Sequence, residues 1–274
     1  MKSSTPEPAM VLSGDISGAG GRLLVLLHGL GTTREVWAPM IAAAGPPAGT
    51  RVLNLDLRGH GRSGDGGRSG DGGSGAALPY SYGAHAADVA EAILALEDAP
   101  EELVVIGHSM GGAVALALAS GWFGVQPARV LGLGIKVAWT AEEEAGVLAR
   151  AGQPGKSFAS REEALARYLK VSGLAGLVDA DSPLVAHGVR EADGGWWLAT
   201  DPRTGLVGAP PIAGFVAAAR CPLHLACGEH DTMVNLAQLQ AHDPQAEVLA
   251  GLGHNAMVED PATVWAWVGR YRAA

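Results

Sequence analysis

The chain has 274 residues, 48% hydrophobic and 17% charged, a balance that suits one compact globular unit and excludes a disordered chain. Its formal net charge of −9 offers no long-range attraction to nucleic acid phosphates or to an anionic membrane surface. Met1 to Gly14 carries one lysine and no apolar stretch of secretory length, and the most apolar segment, Ala113 to Val125, is too short to span a bilayer, so a cytoplasmic location is the expectation.

In chain order, the first strand is Leu23 to Leu27, followed by His28-Gly29-Leu30-Gly31 and by Thr32, three residues before Glu35 in the spacing of a helix capping box. Val52 to Leu57 forms the next strand. After it, Arg62 to Gly67 and Arg68 to Gly73 are tandem copies of Arg-Ser-Gly-Asp-Gly-Gly, too glycine-rich to offset their ordering entropy and read as a loop. Leu103 to Ile106 is a strand that runs through Gly107-His108-Ser109-Met110-Gly111-Gly112 into a helix at Ala113 to Ala119. Val130 to Ile135 follows, with Lys136 at its end.

Trp139 to about Gly214 then breaks the rhythm with three capped helices. Thr140 precedes Glu143, Ser160 precedes Glu163, and Ser182 precedes Pro183 at the head of a helix predicted to run to Glu191, ahead of the pair Trp196-Trp197. Beyond this segment come strands at Leu223 to Cys227 and Ala246 to Ala250, and a terminal helix from Pro261 to Tyr271 capped by Asp260. Strands this continuously apolar belong to a mostly parallel sheet covered on both faces. Cys221 and Cys227 share one strand, whose roughly 20 Å span is too long for a disulfide, so both are expected as free thiols.

Strand, sharp turn and helix around Ser109 form a nucleophile elbow. The serine is forced into a cramped backbone conformation, and the flanking glycines let strand and helix approach without clashing Cβ atoms. A hydroxyl is a weak nucleophile at neutral pH, so a base must remove its proton, and histidine backed by a carboxylate suits that task.

With Ser109 in place, four further motifs appear in order: His28-Gly29-Leu30-Gly31, Asp56-Leu57-Arg58-Gly59-His60-Gly61-Arg62-Ser63, Gly228-Glu229-His230-Asp231 and Gly251-Leu252-Gly253-His254. Together they resemble the α/β-hydrolase family over Leu23 to Val268, outside the insertion. The resemblance implies an α/β fold with a doubly wound, mostly parallel sheet, a core at 1–138 and 215–274, and a helical cap at 139–214 inserted between the sixth and seventh core strands. It implies Ser109 as nucleophile, His254 as base and Asp231 as the orienting acid, with backbone N–H groups of Leu30 and Met110 as oxyanion hole and no metal or cofactor. The family's amino-terminal hairpin is compressed here into Met10 to Gly21.

Some assignments stay open at this level. Glu229 competes with Asp231 for the orienting role. His108 points away from the nucleophile and reads as a buried, hydrogen-bonded histidine, and His28, His60 and His230 read as structural. Asp56 and Arg58 read as holding the loop after their strand. Lys136 either faces the cleft, favouring an anionic substrate, or reaches solvent along the cap. Trp37, Trp139, Trp196 and Trp197 either line an acyl pocket or pack cap against core. The expected activity is hydrolysis of a small-molecule carboxylic ester or lactone through an acyl-enzyme. The rivals are carbon–carbon bond hydrolysis of a ring-cleavage dienoate, amide hydrolysis, cofactor-free perhydrolysis, and a small-molecule receptor built on the same fold.

Overall fold

The computed structural model describes residues 12–63 and 80–271. The tandem glycine-rich copies expected as a loop lie outside the described residues from position 64 onward.

The chain opens with β1 (Gly14–Gly18) and β2 (Arg22–Leu27), passes through a 3₁₀ turn at Arg34–Trp37 into α1 (Ala38–Ala44), and returns in β3 (Thr50–Leu55). Then come α2 (Tyr82–Leu94), β4 (Glu102–His108), α3 (Met110–Leu118) and β5 (Arg129–Leu133). An inserted segment holds α4 (Ala141–Ala151), β6 (Ser157–Phe158), α5 (Arg161–Val171), β7 (Val189–Ala192) and β8 (Gly195–Leu198), with 3₁₀ turns at Pro183–Val185 and Pro202–Val207. The chain closes with α6 (Ile212–Ala218), β9 (Leu223–Gly228), α7 (Leu236–Gln240), β10 (Glu247–Leu249), α8 (Ala256–Glu259) and α9 (Pro261–Arg270).

All six apolar runs are strands of one seven-stranded sheet in the order β1-β3-β2-β4-β5-β9-β10, parallel except for β1 against β3. Alternate residues go to opposite faces. In β2, Leu23, Val25 and Leu27 enter one hydrophobic cluster with α2 and α3, while Leu24 and Leu26 enter the other with Trp37, Met40 and Trp267. A strand buried on both faces needs apolar side chains at every position, which is why these runs are continuous. Each such leucine contributes about 1.5–3 kcal/mol as an upper figure.

The path from β2 goes first to β3 on one side and then to β4 on the other. The strand order therefore reverses beside β2, and the crevice at the carboxyl ends of β2 and β4 is where an open α/β sheet binds its ligands. Loops leaving β2, β4, β5, β9 and β10 all emerge at this edge. Among the described residues, no helix is long and apolar enough to cross a membrane.

The insertion differs from expectation in three ways. It lies between β5 and β9, which among the described residues are the fifth and sixth strands of the sheet in chain order rather than the sixth and seventh, β1 being the one sheet strand described before β2. It is also not purely helical. The helix expected from Pro183 to Glu191 stops after a single 3₁₀ turn, and β7, β8 and β6 form a three-stranded antiparallel sheet. The hairpin is enforced at Asp193-Gly194, whose φ values of 51° and 73° are both positive, as a tight two-residue hairpin loop requires. Gly188, just before β7, passes so close to Tyr168 that an added Cβ would lie 2.4 Å from its ring.

The third difference is at the downstream boundary: 214/215 falls inside α6, whose Ile212, Phe215 and Val216 pack into the cluster with α3. The cap signals themselves fare unevenly. Thr140 and Glu143 make the reciprocal box, Ser160 accepts from Glu163 N–H, and Asp260 accepts from Ala262 and Thr263 N–H. Thr32 instead donates to Gly29 O at 2.9 Å, bracing the loop after β2. Both cysteines are free.

Candidate active site

The elbow is the most strained point of the site. Ser109 sits between β4 and α3 at φ 52° and ψ −117°, a left-handed conformation that non-glycine residues adopt only when the surroundings force it. The glycines around it are forced by contact rather than by their own φ. A Cβ on Gly107 would stand 2.2 Å from Gly111 O, and one on Gly111 would stand 2.4 Å from His28 O. Ser109 N–H donates to Leu133 O at 2.9 Å, fixing the elbow to the end of β5. The serine is half-buried and lines a cleft of about 1850 Å³ that also contains His254, Leu30 and Met110.

Asp231 and His254 leave the ends of β9 and β10. His254 Nδ1 lies 2.8 Å from Asp231 Oδ2, with the carboxylate fully enclosed and the imidazole 22% exposed toward the cleft. The other carboxylate oxygen accepts Met233 N–H at 2.8 Å. A carboxylate held in place on both oxygens favours the imidazole tautomer that donates from Nδ1, with the lone pair on Nε2. Glu229, the rival, spends its carboxylate on Gly251 N–H at 2.8 Å.

His254 has further supports that the sequence does not advertise. Glu259 accepts from Gly253 N–H at 2.6 Å and Asn255 N–H at 3.1 Å, clamping the loop on both sides of the histidine. Asn255 donates in turn to Ser172 O and Gly173 O, tying the loop to the end of α5. His108 is buried as expected and its Nε2 lies 2.9 Å from His254 O. Burial, reinforced by the neighbouring His254, holds the His108 pKa well below the usual histidine value, so it stays neutral and donates from Nε2.

The loop carrying Leu30 is held by two more buried histidines. His28 Nδ1 donates to Gly29 O at 2.8 Å and its Nε2 accepts Leu57 N–H at 2.9 Å. His60 Nε2 accepts Gly31 N–H at 3.1 Å, and its Nδ1 donates to Arg58 O at 3.0 Å. Both rings must be neutral to accept, and burial pushes their pKa values down to about 4 and about 3. His60's contact with the loop escapes sequence reading, since nothing local pairs residue 60 with residue 31. Gly29 brings the loop against the elbow, where a Cβ would lie 3.2 Å from Ser109 Cβ. Met110 opens α3, so its N–H is one of the helix's orphan donors. No described group accepts from Leu30 N–H.

The remaining predicted residues divide. Trp37, expected as a pocket residue or as packing, is fully enclosed in the cluster with Val36 and Met40 and does not line the cleft, so it packs the core, which corrects its placement in the pocket. Trp139 and Trp197 line the cleft, donating their Nε1–H to Lys136 O and Ala192 O. Trp196 packs on the core cluster. Lys136 also lines the cleft, but its ammonium is paired with Glu143 and lies 4.8 Å over the Trp139 ring. Asp56 binds Arg34 and the Arg62 N–H, and Arg58 binds Asp88, as expected of loop supports.

Comparison with known proteins agrees with this architecture. Protein phosphatase methylesterase 1 of Bos taurus is 36% identical over 104 residues, 38% of this chain and 25% of its own. The pimeloyl-(acyl-carrier protein) methyl ester esterase of Edwardsiella ictaluri is 40% identical over 116 residues, 42% of this chain and 36% of its own. The chain thus spans a quarter to about a third of the length of these curated relatives. In three dimensions, E-2-(acetamidomethylene)succinate hydrolase superposes with a TM-score of 0.71 at 20% identity, over 95% of this chain and 94% of that one, a likeness of fold. A model of the alpha/beta hydrolase family matches residues 24–267, and the chain belongs to that family.

Proposed function

We propose that this hydrolase cleaves carboxylic esters, lactones included, of small-molecule acids through an acyl-enzyme on Ser109. The observation that carries the reading is the 2.8 Å contact between His254 Nδ1 and the enclosed Asp231 carboxylate, on the wall of the cleft that holds the strained elbow. The methyl esterase relatives support an ester as the bond cleaved.

In this reading Ser109 Oγ attacks the ester carbonyl carbon while His254 Nε2 takes its proton. The developing oxyanion is met by the N–H groups of Leu30 and Met110. His254 then gives the proton to the leaving alkoxide, and the alcohol departs. Water attacks the acyl carbonyl, its proton going to His254 and back to Ser109, and the acid is released. Asp231 keeps the imidazole in the tautomer that both steps need and stabilises its charged form. The inserted segment from Trp139 to the start of α6 acts as the cap that shapes the acyl pocket, with Trp139 and Trp197 on its wall.

The test is a panel of methyl and nitrophenyl esters, lactones, anilides and a ring-cleavage dienoate, followed by product release. Esters are expected to turn over fastest. Turnover of the dienoate or an anilide with every ester inert would overturn the reading, as would tight ligand binding without any turnover.

A further inference from the structure

Acidic side chains outnumber basic ones by 28 to 19 in the whole chain. The cleft reverses that balance. Among the described residues, its wall contains eight basic side chains and one acidic one, Asp201. Asp201 is itself occupied, accepting from Arg203 and from Tyr80 Oη–H. Lys136 is neutralised by Glu143, and Arg62 contacts His187. That leaves Arg150, Lys156, Arg167, Lys170 and Arg190 in the cleft wall without an ion pair among the described residues.

The placement of these charges matters as much as their number. Arg167 and Lys170 are three residues apart on α5 and so share a stripe of that helix, which continues to Val171. Val171 O lies 3.6 Å from where a Cβ on Gly31 would stand, and the residues just beyond it are bonded by Asn255, next to His254. The stripe therefore ends beside the loop that carries Leu30. Arg190 faces Trp197 across the β7–β8 pair, and both line the cleft. Like charges gathered without counter-ions repel one another, while a concave wall of one sign concentrates ions of the other.

We infer that the part of the substrate that does not react carries an oxyanion, a carboxylate or a phosphate, seated against Arg167, Lys170 and Arg190 while the ester carbonyl faces Ser109. This rests on the esterase reading and names its substrate class. It also moves the anion site away from Lys136, the residue that sequence alone offered.

The experiment compares the monomethyl ester of a straight-chain dicarboxylic acid, the neutral dimethyl ester of the same acid, and a methyl ester bearing a phosphate in place of the free carboxylate. The charged esters are expected to have the higher kcat/KM. The ratio of charged to neutral kcat/KM should fall about tenfold in an Arg167→Gln/Lys170→Gln variant, and also as salt is raised. Whichever of carboxylate and phosphate gains more identifies the natural anion. An equal or higher kcat/KM for the dimethyl ester, with a ratio indifferent to salt and to the double variant, would overturn the inference.

A second arm needs no turnover: calorimetric titration of the free dicarboxylate into the Ser109→Ala protein should show binding that the added double variant weakens about tenfold. Binding without hydrolysis of any ester would leave the anion site standing and remove the esterase reading. Hydrolysis of both esters without dicarboxylate binding would do the reverse.

Discussion

Replacing Ser109 by alanine is expected to lower kcat for ester hydrolysis by about 10⁶-fold, with the fold intact. In the proposed mechanism the effect is that large because the serine oxygen is the atom that forms the new bond, and the remaining donors act only on a carbonyl that something else must attack. Stability should barely change. The backbone at φ 52° is as strained for alanine as for serine, and the side chain makes no hydrogen bond that its loss would leave unanswered among the described residues. His254→Ala should cost about as much, since the two residues act as one unit, and Asp231→Asn about 10⁴-fold, because the amide favours the wrong tautomer of His254. Steady-state kinetics with a nitrophenyl ester, read beside thermal melts of each variant, checks all three. Retention of a tenth of the activity in Ser109→Ala would place the chemistry elsewhere.

The second large effect is on stability against acid. His28, His60, His85 and His108 are buried, and burial depresses each pKa in the folded chain, to about 4 for His28, to about 3 for His60 and well below the usual value for the others. The unfolded chain takes up these protons near pH 6.5, while the folded chain refuses them until far lower pH. Between those limits the unfolded state binds more protons, so stability is complete above about pH 6.5 and is lost as pH falls toward 4 and 3. From pH 7 to pH 5 the loss should be about 1–2 kcal/mol per histidine, several kcal/mol in all. Urea unfolding at the two pH values measures it directly. A midpoint that does not move would show that these rings are already charged in the fold or exposed in solution.

The same histidines join stability to the site. His60 accepts the Gly31 N–H beside Leu30, and His28 spans Gly29 O and Leu57 N–H, so protonating either ring removes an acceptor from the loop that carries one proposed oxyanion donor. In the folded chain those protons are taken up only near pH 4 and below, so it is there that activity is expected to be lost together with this loop.

The sheet was readable from sequence because strands enclosed on both faces cannot hide: Leu23 to Leu27 and Leu103 to Ile106 have no polar position to blur them. The elbow was readable for a related reason, since Gly107 and Gly111 stand where any Cβ would collide with backbone. The insertion resisted. Ser182-Pro183 promised a helix, yet the Asp193-Gly194 turn and the pairing of Trp196 and Trp197 with flanking strands made a hairpin. Local cap chemistry lost to a turn signal ten residues away. Trp37 and Lys136 were left open for a different reason: whether a tryptophan faces a cleft or a core, and whether a lysine on the cleft wall has a partner such as Glu143, depends on elements brought together only by the fold. The clamp from Glu259 and the bond from His60 to Gly31 were illegible for the same reason.

One measurement addresses the chemistry at its root. A nitrophenyl ester with a slowly released acyl group is mixed with the enzyme, quenched with acid within the first turnover, and digested for mass spectrometry. The account predicts an added acyl mass on the peptide containing Ser109, absent when His254 is replaced by alanine. An acyl group on a different residue, or rapid hydrolysis with Ser109 never modified, would contradict it.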